Sequence, residues 1–150
     1  MESIDVDDLH SLLGSISRAR LVGRALFDRH VAVPLGLSRP EFNVLLLLLA
    51  NEELMSAQLS QAMMMPKSNV STLVARLKLR KLVESVESDL RRQWQPLVLT
   101  TQGRNLALQA SALRGPMDDE LGRLLSPEER ATLIRLLGKI VDGALPTGPG

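Results

Sequence analysis

Residues 66–86 read PKSNVSTLVARLKLRKLVESV, and the fold is decided in this stretch. Apolar residues recur there at the spacing i, i+3, i+4, i+7, which predicts a helix over Lys67 to Leu77 with one buried stripe. The stripe consists of Val70, Leu73, Val74 and Leu77. The opposite face carries short hydrogen-bonding side chains between bases, namely Lys67, Ser68, Asn69, Ser71, Thr72 and Arg76. An amphipathic helix with an ordinary polar face has the same pattern, so the helix alone indicates no function.

The segment that follows this helix favours one fold. Residues 82–86 alternate apolar and polar side chains as a strand does, and residues 97–100 offer a second strand. The stretch between them is polar and basic, contains Arg91 and Arg92, and has the length of a projecting hairpin loop. Two short helices followed by such a hairpin are typical of a winged helix-turn-helix. In that fold helix residues reach base edges in the major groove, and arginines of the hairpin reach the backbone or the minor groove.

The net charge of +1 for the whole chain conceals an asymmetry. Residues 67–104 hold eight basic and three acidic side chains, a net charge of +5, whereas the remainder holds ten basic and fourteen acidic side chains, a net charge of −4. A phosphate backbone responds to the local field, so this basic window favours nucleic-acid binding. Scattered bases on a solvated face are the ordinary alternative.

The helices before this stretch are predicted from capping and burial. Ser38-Arg39-Pro40-Glu41 has the spacing of a capping box and predicts a helix from Pro40 to about Ala50. Five successive leucines at 45–49 make this segment apolar all round, which predicts central burial. A buried strand is the alternative, but the capping signal favours a helix. A short helix is predicted at about Ser56 to Met63, after a polar break.

Two further helical segments flank the predicted winged region. Apolar residues at a spacing of three and four predict a first helix over residues 8–33, ended by Pro34 and Gly36. A helix over residues 101–114 follows the second strand, and Gly115-Pro116 either ends it or kinks it.

The last helix begins at a second capping box, Ser126-Pro127-Glu128-Glu129. This helix carries more apolar side chains than a solvent-exposed helix of a monomer usually does, namely Leu133, Ile134, Leu136, Leu137, Ile140 and Val141. Residues 8–36 and 101–143 are therefore predicted to form the dimerisation helices, with 144–150 as a flexible tail.

Composition argues against several classes of protein. The chain has no cysteine and only two histidines, His10 and His30, so no metal site or cofactor is predicted. An enzyme is disfavoured because there is no glycine-rich phosphate loop and no histidine near a Ser/Asp pair. Residues 1–8 are acidic, unlike a signal peptide, and the apolar run at 44–50 is too short to span a bilayer. These features predict a cytoplasmic protein with no membrane partner.

Short motifs in the central half of the chain occur in a recognisable order. They are LSRPEFNVL at 37–45, QLSQ at 58–61, KSNVS at 67–71, LKLRKLV at 77–83, DLRR at 89–92 and LTTQGR at 99–104. In order and approximate spacing the chain resembles the MarR-type (multiple-antibiotic-resistance regulator) transcription regulators. The resemblance implies a homodimer with interlocking terminal helices, whose two winged domains read a pseudo-palindrome in double-stranded DNA. It also implies a small-molecule effector, in a pocket lined by the first, the leucine-rich and the 101–114 helices.

The chain departs from the family pattern at three places. Met64 and Lys81 stand where glycine is common, so both turns must be made without the residue that adopts positive φ most easily. The distance from Asp89 to the second strand is not the commonest one, so either Arg91 or Arg92 can occupy the usual wing position.

The sequence therefore predicts one MarR-like domain over residues 1–150, mainly α with a small β-hairpin wing, in which residues 37–100 form the winged helix-turn-helix. The predicted function is a ligand-responsive repressor; the alternative is a winged-helix protein-interaction module without DNA binding. Base contacts are predicted for Ser68, Asn69, Ser71 and Thr72. Contacts to phosphates are predicted for Lys67 and Arg76, with Arg91 and Arg92 reaching DNA from the wing. No ligand-binding residue is assigned.

Overall fold

The computed structural model describes residues 10–87 and 95–144. The chain forms two compact units, one ending at Arg114 and the other beginning at Gly115. In chain order the first unit contains α1 (Leu12–Phe27), a π-helical segment (Asp28–Ala32), α2 (Val33–Leu35), α3 (Arg39–Asn51), β1 (Glu53–Leu54), α4 (Ser56–Met63), α5 (Lys67–Leu79), β2 (Val83–Ser85), β3 (Leu97–Leu99) and α6 (Thr101–Ala112). The predicted fold class, mainly helical with a small antiparallel sheet, is confirmed. The prediction of a single domain stays a prediction.

The first helical run continues through Pro34, so the predicted end at Val33 is wrong. The proline lies in α2, directly after the π-helical segment, in which the N–H of Val33 donates to the carbonyl of Asp28. A π-helical turn is wider than an α-helical one and changes which carbonyls oppose the following residues, and this accommodates the proline. Gly36 ends the run in the left-handed conformation, with φ at 63°. The predicted start at residue 8 lies outside the described residues.

The core of the first unit is built around α3. Val44, Leu45 and Leu48 are fully or almost fully buried, and the leucine-rich segment is a helix rather than a strand. α6 packs against α3. The residues of α6 that become buried are Gly103, Ala107 and Ala110. Leu108 of the same helix is 51% exposed. Small side chains allow two helices to approach closely, and this contact therefore rests on alanine and glycine rather than on leucine.

The sheet has the strand order β1-β3-β2 and is antiparallel throughout. The predicted hairpin is confirmed in its two strands, in which Val83 pairs with Leu99 and Ser85 with Leu97. β1 was missed, because the sequence predicted only a polar break there. Its two residues become a strand by pairing with β3, a partner far away in the chain. The predicted wing arginines, Arg91 and Arg92, lie outside the described residues.

The second unit contains α7 (Arg114–Gly122) and α8 (Pro127–Ala144). The predicted capping box at the start of α8 is confirmed: Ser126 N–H donates to the Glu129 carboxylate at 2.8 Å, and Glu129 N–H donates to the Ser126 hydroxyl at 3.1 Å. Arg130 joins the two helices by ion pairs to Asp118 at 3.4 Å and Asp119 at 3.6 Å. The apolar residues of α8 are all exposed; they are Leu133, Ile134, Leu136, Leu137, Ile140 and Val141.

Within residues 10–87 and 95–144, no single helix is long and apolar enough to span a membrane. Among these residues, one pair of helical segments, Leu12–Leu35 and Arg39–Asn51, is long and apolar enough when the two are taken together, but they are bent by 75° relative to each other.

Candidate nucleic-acid interface

Within the first unit, α5 packs against its neighbours through the apolar stripe that the sequence predicted. Val70 and Leu77 are completely buried, and Leu73 and Val74 are 5% and 6% exposed. Leu59 of α4 is also completely buried, and the two helices pack against each other. Because one face of α5 is buried from Val70 to Leu77, the opposite face is held toward solvent in a defined orientation.

The turn between α4 and α5 is made without glycine, as the sequence requires. Met64 adopts a left-handed conformation with φ 52° and ψ 41°. Ser60 holds the turn from both sides, since its hydroxyl donates to the carbonyl of Met65 at 2.6 Å and its own carbonyl accepts the Met65 N–H at 3.1 Å. Sequence reasoning missed Ser60, because a serine inside a short helix carries no signal of a contact five residues away.

The amino-terminal end of α5 has no side-chain cap. Pro66 stands at the N-cap position, and its carbonyl accepts the N–H groups of Asn69 at 3.0 Å and Val70 at 3.1 Å. The first turn holds no acidic residue, so nothing in that turn neutralises the positive end of the helix dipole. The N–H groups of Lys67 and Ser68 precede the first intrahelical donors, and such groups are ready-made donors to an anion.

All six predicted contact residues of α5 are exposed. They are Lys67, Ser68, Asn69, Ser71, Thr72 and Arg76. In the described part of the chain no ion pair involves Lys67 or Arg76, so their charges remain available. The Thr72 hydroxyl already donates to the carbonyl of Ser68 at 3.1 Å, which leaves it chiefly an acceptor.

The carboxyl-terminal end of α5 is joined to the core by an ion pair. Arg80 directly follows the helix, and its Nη1 lies 3.1 Å from Oε2 of Glu41. Glu41 is buried, and the same oxygen accepts the N–H of Ser38 at 2.9 Å in the predicted capping box. Burial alone would raise the pKa of Glu41, but the hydrogen bond from Ser38 N–H and the Arg80 guanidinium together hold the pKa below its usual value. The carboxylate is therefore charged, and its Oε2 atom has two partners.

The turn after α5 is held by hydrogen bonds and by close packing of the backbone. Lys81 adopts φ 59°, again without glycine, and its carbonyl accepts the hydroxyl of Thr100 at 2.6 Å. The same hydroxyl accepts the N–H of Gly103 at 2.9 Å and so caps α6. A Cβ atom on Gly103 would lie 1.8 Å from the carbonyl oxygen of Leu82, so no other residue fits there without movement of the backbone.

Comparisons with known proteins find the same fold in DNA-binding regulators. The sequence model of the MarR family matches residues 35–93. A structure of the transcriptional repressor CouR bound to a 23-mer DNA duplex is 25% identical, covers 93% of this chain and 99% of that chain, and superposes with a TM-score of 0.83. The family match covers 59 of the 150 residues and includes the whole of α3, α4 and α5. The repressor CouR bound to p-coumaroyl-CoA is similarly close, at 26% identity, 93% and 98% coverage and a TM-score of 0.81.

A more distant solved structure covers nearly the whole chain. The PcaV transcriptional regulator from Streptomyces coelicolor, in complex with its natural ligand, is 20% identical, covers 97% of this chain and 100% of that chain, and has a TM-score of 0.82. No functionally curated protein is significantly similar in sequence. The three solved structures named here are described as transcription regulators or repressors. All the residues predicted here to contact DNA lie inside the segment that the MarR family matches.

A second feature of this chain is an open pocket of about 620 Å³ beside α1. It is lined by Arg20, Gly23, Arg24, Phe27, Asp28, Ala32, Ser38 and Arg39. The guanidinium of Arg39 lies 4.9 Å from the ring centroid of Phe27, which in turn meets Phe42 edge-to-face at 5.3 Å. Arg24 is 4.0 Å from Asp28. The lining thus combines three arginines, one aspartate and one aromatic residue.

This pocket differs in part from the predicted one. It involves the first helical run and the start of the leucine-rich helix, as expected, but no residue of α6 is among the residues that line it. Residues of α6 line a separate pocket of about 530 Å³ instead, together with Leu82. Among the residues that the structure describes, no cluster of His, Cys, Asp and Glu could hold a metal ion.

Proposed function

We propose that this protein is a transcription repressor that binds a pseudo-palindromic operator in double-stranded DNA as a homodimer. The observation that carries the proposal is the exposed face of α5 above a buried apolar stripe: its amino-terminal end is uncapped, and its bases form no ion pair with the described residues. A helix that enters the major groove with its amino-terminal residues needs these features. The related repressor bound to a DNA duplex supports the same interpretation.

The roles of the α5 side chains follow from their chemistry. Ser68, Asn69, Ser71 and Thr72 are short or bidentate hydrogen-bonding groups, suited to base edges. Lys67 and Arg76 flank them and suit phosphates, because charge without a fixed donor pattern attracts the backbone regardless of sequence. Arg91 and Arg92 are proposed as wing contacts on the basis of the sequence alone.

The proposed dimer would form through apolar helix faces. In α1, Leu12, Leu13, Leu21 and Val22 are between 50% and 75% exposed. In α8, six apolar side chains are exposed, and Ile134 reaches 63%. Such faces are unfavourable in water and favour self-association.

Sedimentation at micromolar concentration tests the dimer. The wild-type chain should sediment as a dimer, and Ile134→Glu should shift it toward a monomer that remains folded, because this side chain supports little of its own chain's core. Thr132→Glu, on the same helix and also exposed, is the matched control and should remain a dimer. A monomeric wild-type protein would refute this part of the proposal.

Selection of bound fragments from genomic DNA, followed by salt titration, tests the DNA-binding role. A DNA-binding protein should lose affinity steeply as salt rises. Replacing both Arg91 and Arg92 by alanine should weaken binding to all sequences together, whereas Asn69→Ala or Ser71→Ala should change which sequence is preferred. Arg123→Ala removes a base outside the winged region and should change neither property. Absence of salt-dependent binding would favour the protein-interaction module instead.

For the effector, we propose an anionic aromatic molecule bound in the pocket beside α1. Three arginines, Arg20, Arg24 and Arg39, outnumber the single acidic lining residue and so favour a carboxylate or phosphate. Phe27 adds an apolar wall that suits an aromatic group. The related repressor bound to p-coumaroyl-CoA supports this class of ligand.

Titration calorimetry with benzoate, p-coumarate and p-coumaroyl-CoA tests this site. At least one of the three should bind and should weaken the affinity of the protein for its selected operator. Arg39→Met should lower ligand affinity about tenfold, because it removes one charge-assisted hydrogen bond. Arg18→Met, on α1 but not lining the pocket, is the control. Equal ligand affinity in both variants would exclude this pocket.

A further inference from the structure

Arg80 has a different charge environment from the other bases of the DNA-binding region. It is one of the eight bases that give residues 67–104 their positive charge, yet its guanidinium is paired with a carboxylate. The Glu41 side chain is 5% exposed and that of Arg80 is 35% exposed. Within the described ranges, no other basic side chain pairs with Glu41. The pair therefore contributes little net field to a DNA backbone, unlike Lys67 or Arg76.

The geometry of this pair links two helices. Arg80 follows the last turn of α5, and Glu41 lies in the first turn of α3, the core helix. Oε2 of Glu41 is held by two donors, the Arg80 guanidinium at 3.1 Å and the Ser38 N–H at 2.9 Å. Nη2 of Arg80 also lies 3.9 Å from the position that a Cβ atom would take on Gly36. The guanidinium thus spans the junction between α2 and α3.

The position of Arg80 has consequences at the other end of α5. Thirteen residues give this helix a length of roughly 20 Å. Over this length, a small rotation of α5 about its carboxyl-terminal end displaces the residues at its amino-terminal end. The displacement exceeds the range of donor–acceptor distances that a direct hydrogen bond allows. A buried carboxylate without its partner is strongly unfavourable, which makes the link between the two helices stiff.

We propose that Arg80 is a positioning residue for base recognition, acting through Glu41, and not a phosphate contact. This inference rests on the proposed DNA-binding function. In this proposal the ion pair sets how α5 enters the major groove. Loss of the ion pair should lower the preference for the operator over random DNA. The electrostatic part of the binding free energy should stay unchanged.

The test measures affinity for the selected operator and for random DNA over a series of salt concentrations. Arg80→Met should lower the operator-to-random ratio roughly fivefold or more, with the salt slope unchanged. Arg76→Met is the matched control: its salt slope should fall by about 0.9 for each phosphate that the side chain no longer neutralises, with the ratio nearly unchanged. The double variant Glu41→Gln with Arg80→Met should recover part of the ratio, because no unpaired buried charge remains.

The other outcomes are equally decisive. A salt slope in Arg80→Met that falls as in Arg76→Met would make Arg80 a phosphate contact and overturn the proposal, and so would an unchanged ratio. Should Arg80→Met fail to fold by circular dichroism, Glu41→Gln takes its place. It removes the carboxylate that holds Arg80 but retains the guanidinium, so an unchanged ratio would again refute positioning. A wild-type protein without specific binding would refute the proposed function itself.

Discussion

The two ends of α5 are built in opposite ways. At the amino-terminal end no side chain caps the helix, and Lys67 places a positive charge at the positive end of the dipole. At the carboxyl-terminal end Arg80 is paired with Glu41, the carbonyl of Lys81 accepts a hydrogen bond from Thr100, and the backbone at Leu82 lies against Gly103.

This difference separates stability from function along one helix. Polar groups at the carboxyl-terminal end are satisfied by the fold, so changes there should alter the free energy of unfolding and should affect DNA binding only indirectly, through the position of α5. Polar groups at the amino-terminal end are left for a partner, so changes there should alter binding and leave the fold intact. Substitutions at both ends test this separation, and the largest effect is expected at Gly103.

Gly103→Ala should destabilise the protein most, by at least about 3 kcal/mol, because its Cβ would lie 1.8 Å from a backbone oxygen that cannot rotate away. Gly115→Ala is the matched control, since it also lies in the first turn of a helix but has nothing within 4 Å of its Cβ position. It should be neutral or slightly stabilising. Urea denaturation measures both, and a loss below about 1 kcal/mol for Gly103→Ala would contradict the close packing at this turn.

Glu41→Gln should lower the free energy of unfolding by about 1–2 kcal/mol at pH 7. This is less than the loss of a fully buried ion pair, because Arg80 keeps access to water. The pKa of Glu41 is lowered in the folded state, so its charge stabilises the fold fully above the ordinary glutamate pKa of about 4.3. That contribution is lost as the pH falls through the lowered pKa. Denaturation curves at several pH values should therefore show the two proteins converging in acid. A difference independent of pH would argue against the charged pair.

Thr100→Val should cost about 1 kcal/mol, since it removes the hydroxyl that bonds both Lys81 and Gly103 while conserving volume. Thr100→Ser retains the hydroxyl and serves as the control. The midpoint of thermal unfolding should fall for valine and remain within a few degrees of wild type for serine. Equal behaviour of the two variants would show that these hydrogen bonds contribute nothing net.

Lys67→Gln should give the smallest change in stability and one of opposite sign. Removing a cation from the positive end of a helix dipole should stabilise the fold by roughly 0.3 kcal/mol, and the same change should weaken DNA binding. Paired measurements of unfolding and operator affinity on this variant examine the contrast between the two ends directly. A stability loss with unchanged affinity would reverse the roles assigned to the ends of α5.

Much of the fold was predictable because its signals are local. α4 has the predicted bounds, Ser56 to Met63, and both capping boxes form as their spacing indicated. The buried stripe of α5 follows from periodicity alone, and the exposed positions opposite it include every contact residue predicted on that helix. Of the predicted site, only Arg91 and Arg92 lie outside the described residues.

The features that sequence reasoning missed depend on partners distant in the chain. β1 is a strand only because β3 lies beside it, and α6 packs through Ala107 and Ala110 because α3 approaches closely there. The π-helical segment before Pro34 had no sequence signal that distinguished it from an α-helix.

By itself the sequence determined the helices, their caps, the hairpin strands and the polar face of α5, since each depends on side chains within a few positions of one another. Only the tertiary structure decided which charges of that region are available. Arg80 and Lys67 are both bases in one basic window, and nothing local distinguishes them. Folding brings Glu41 to Arg80 and leaves Lys67 at an open helix end, because the free energy of a charge depends on what lies near it in space.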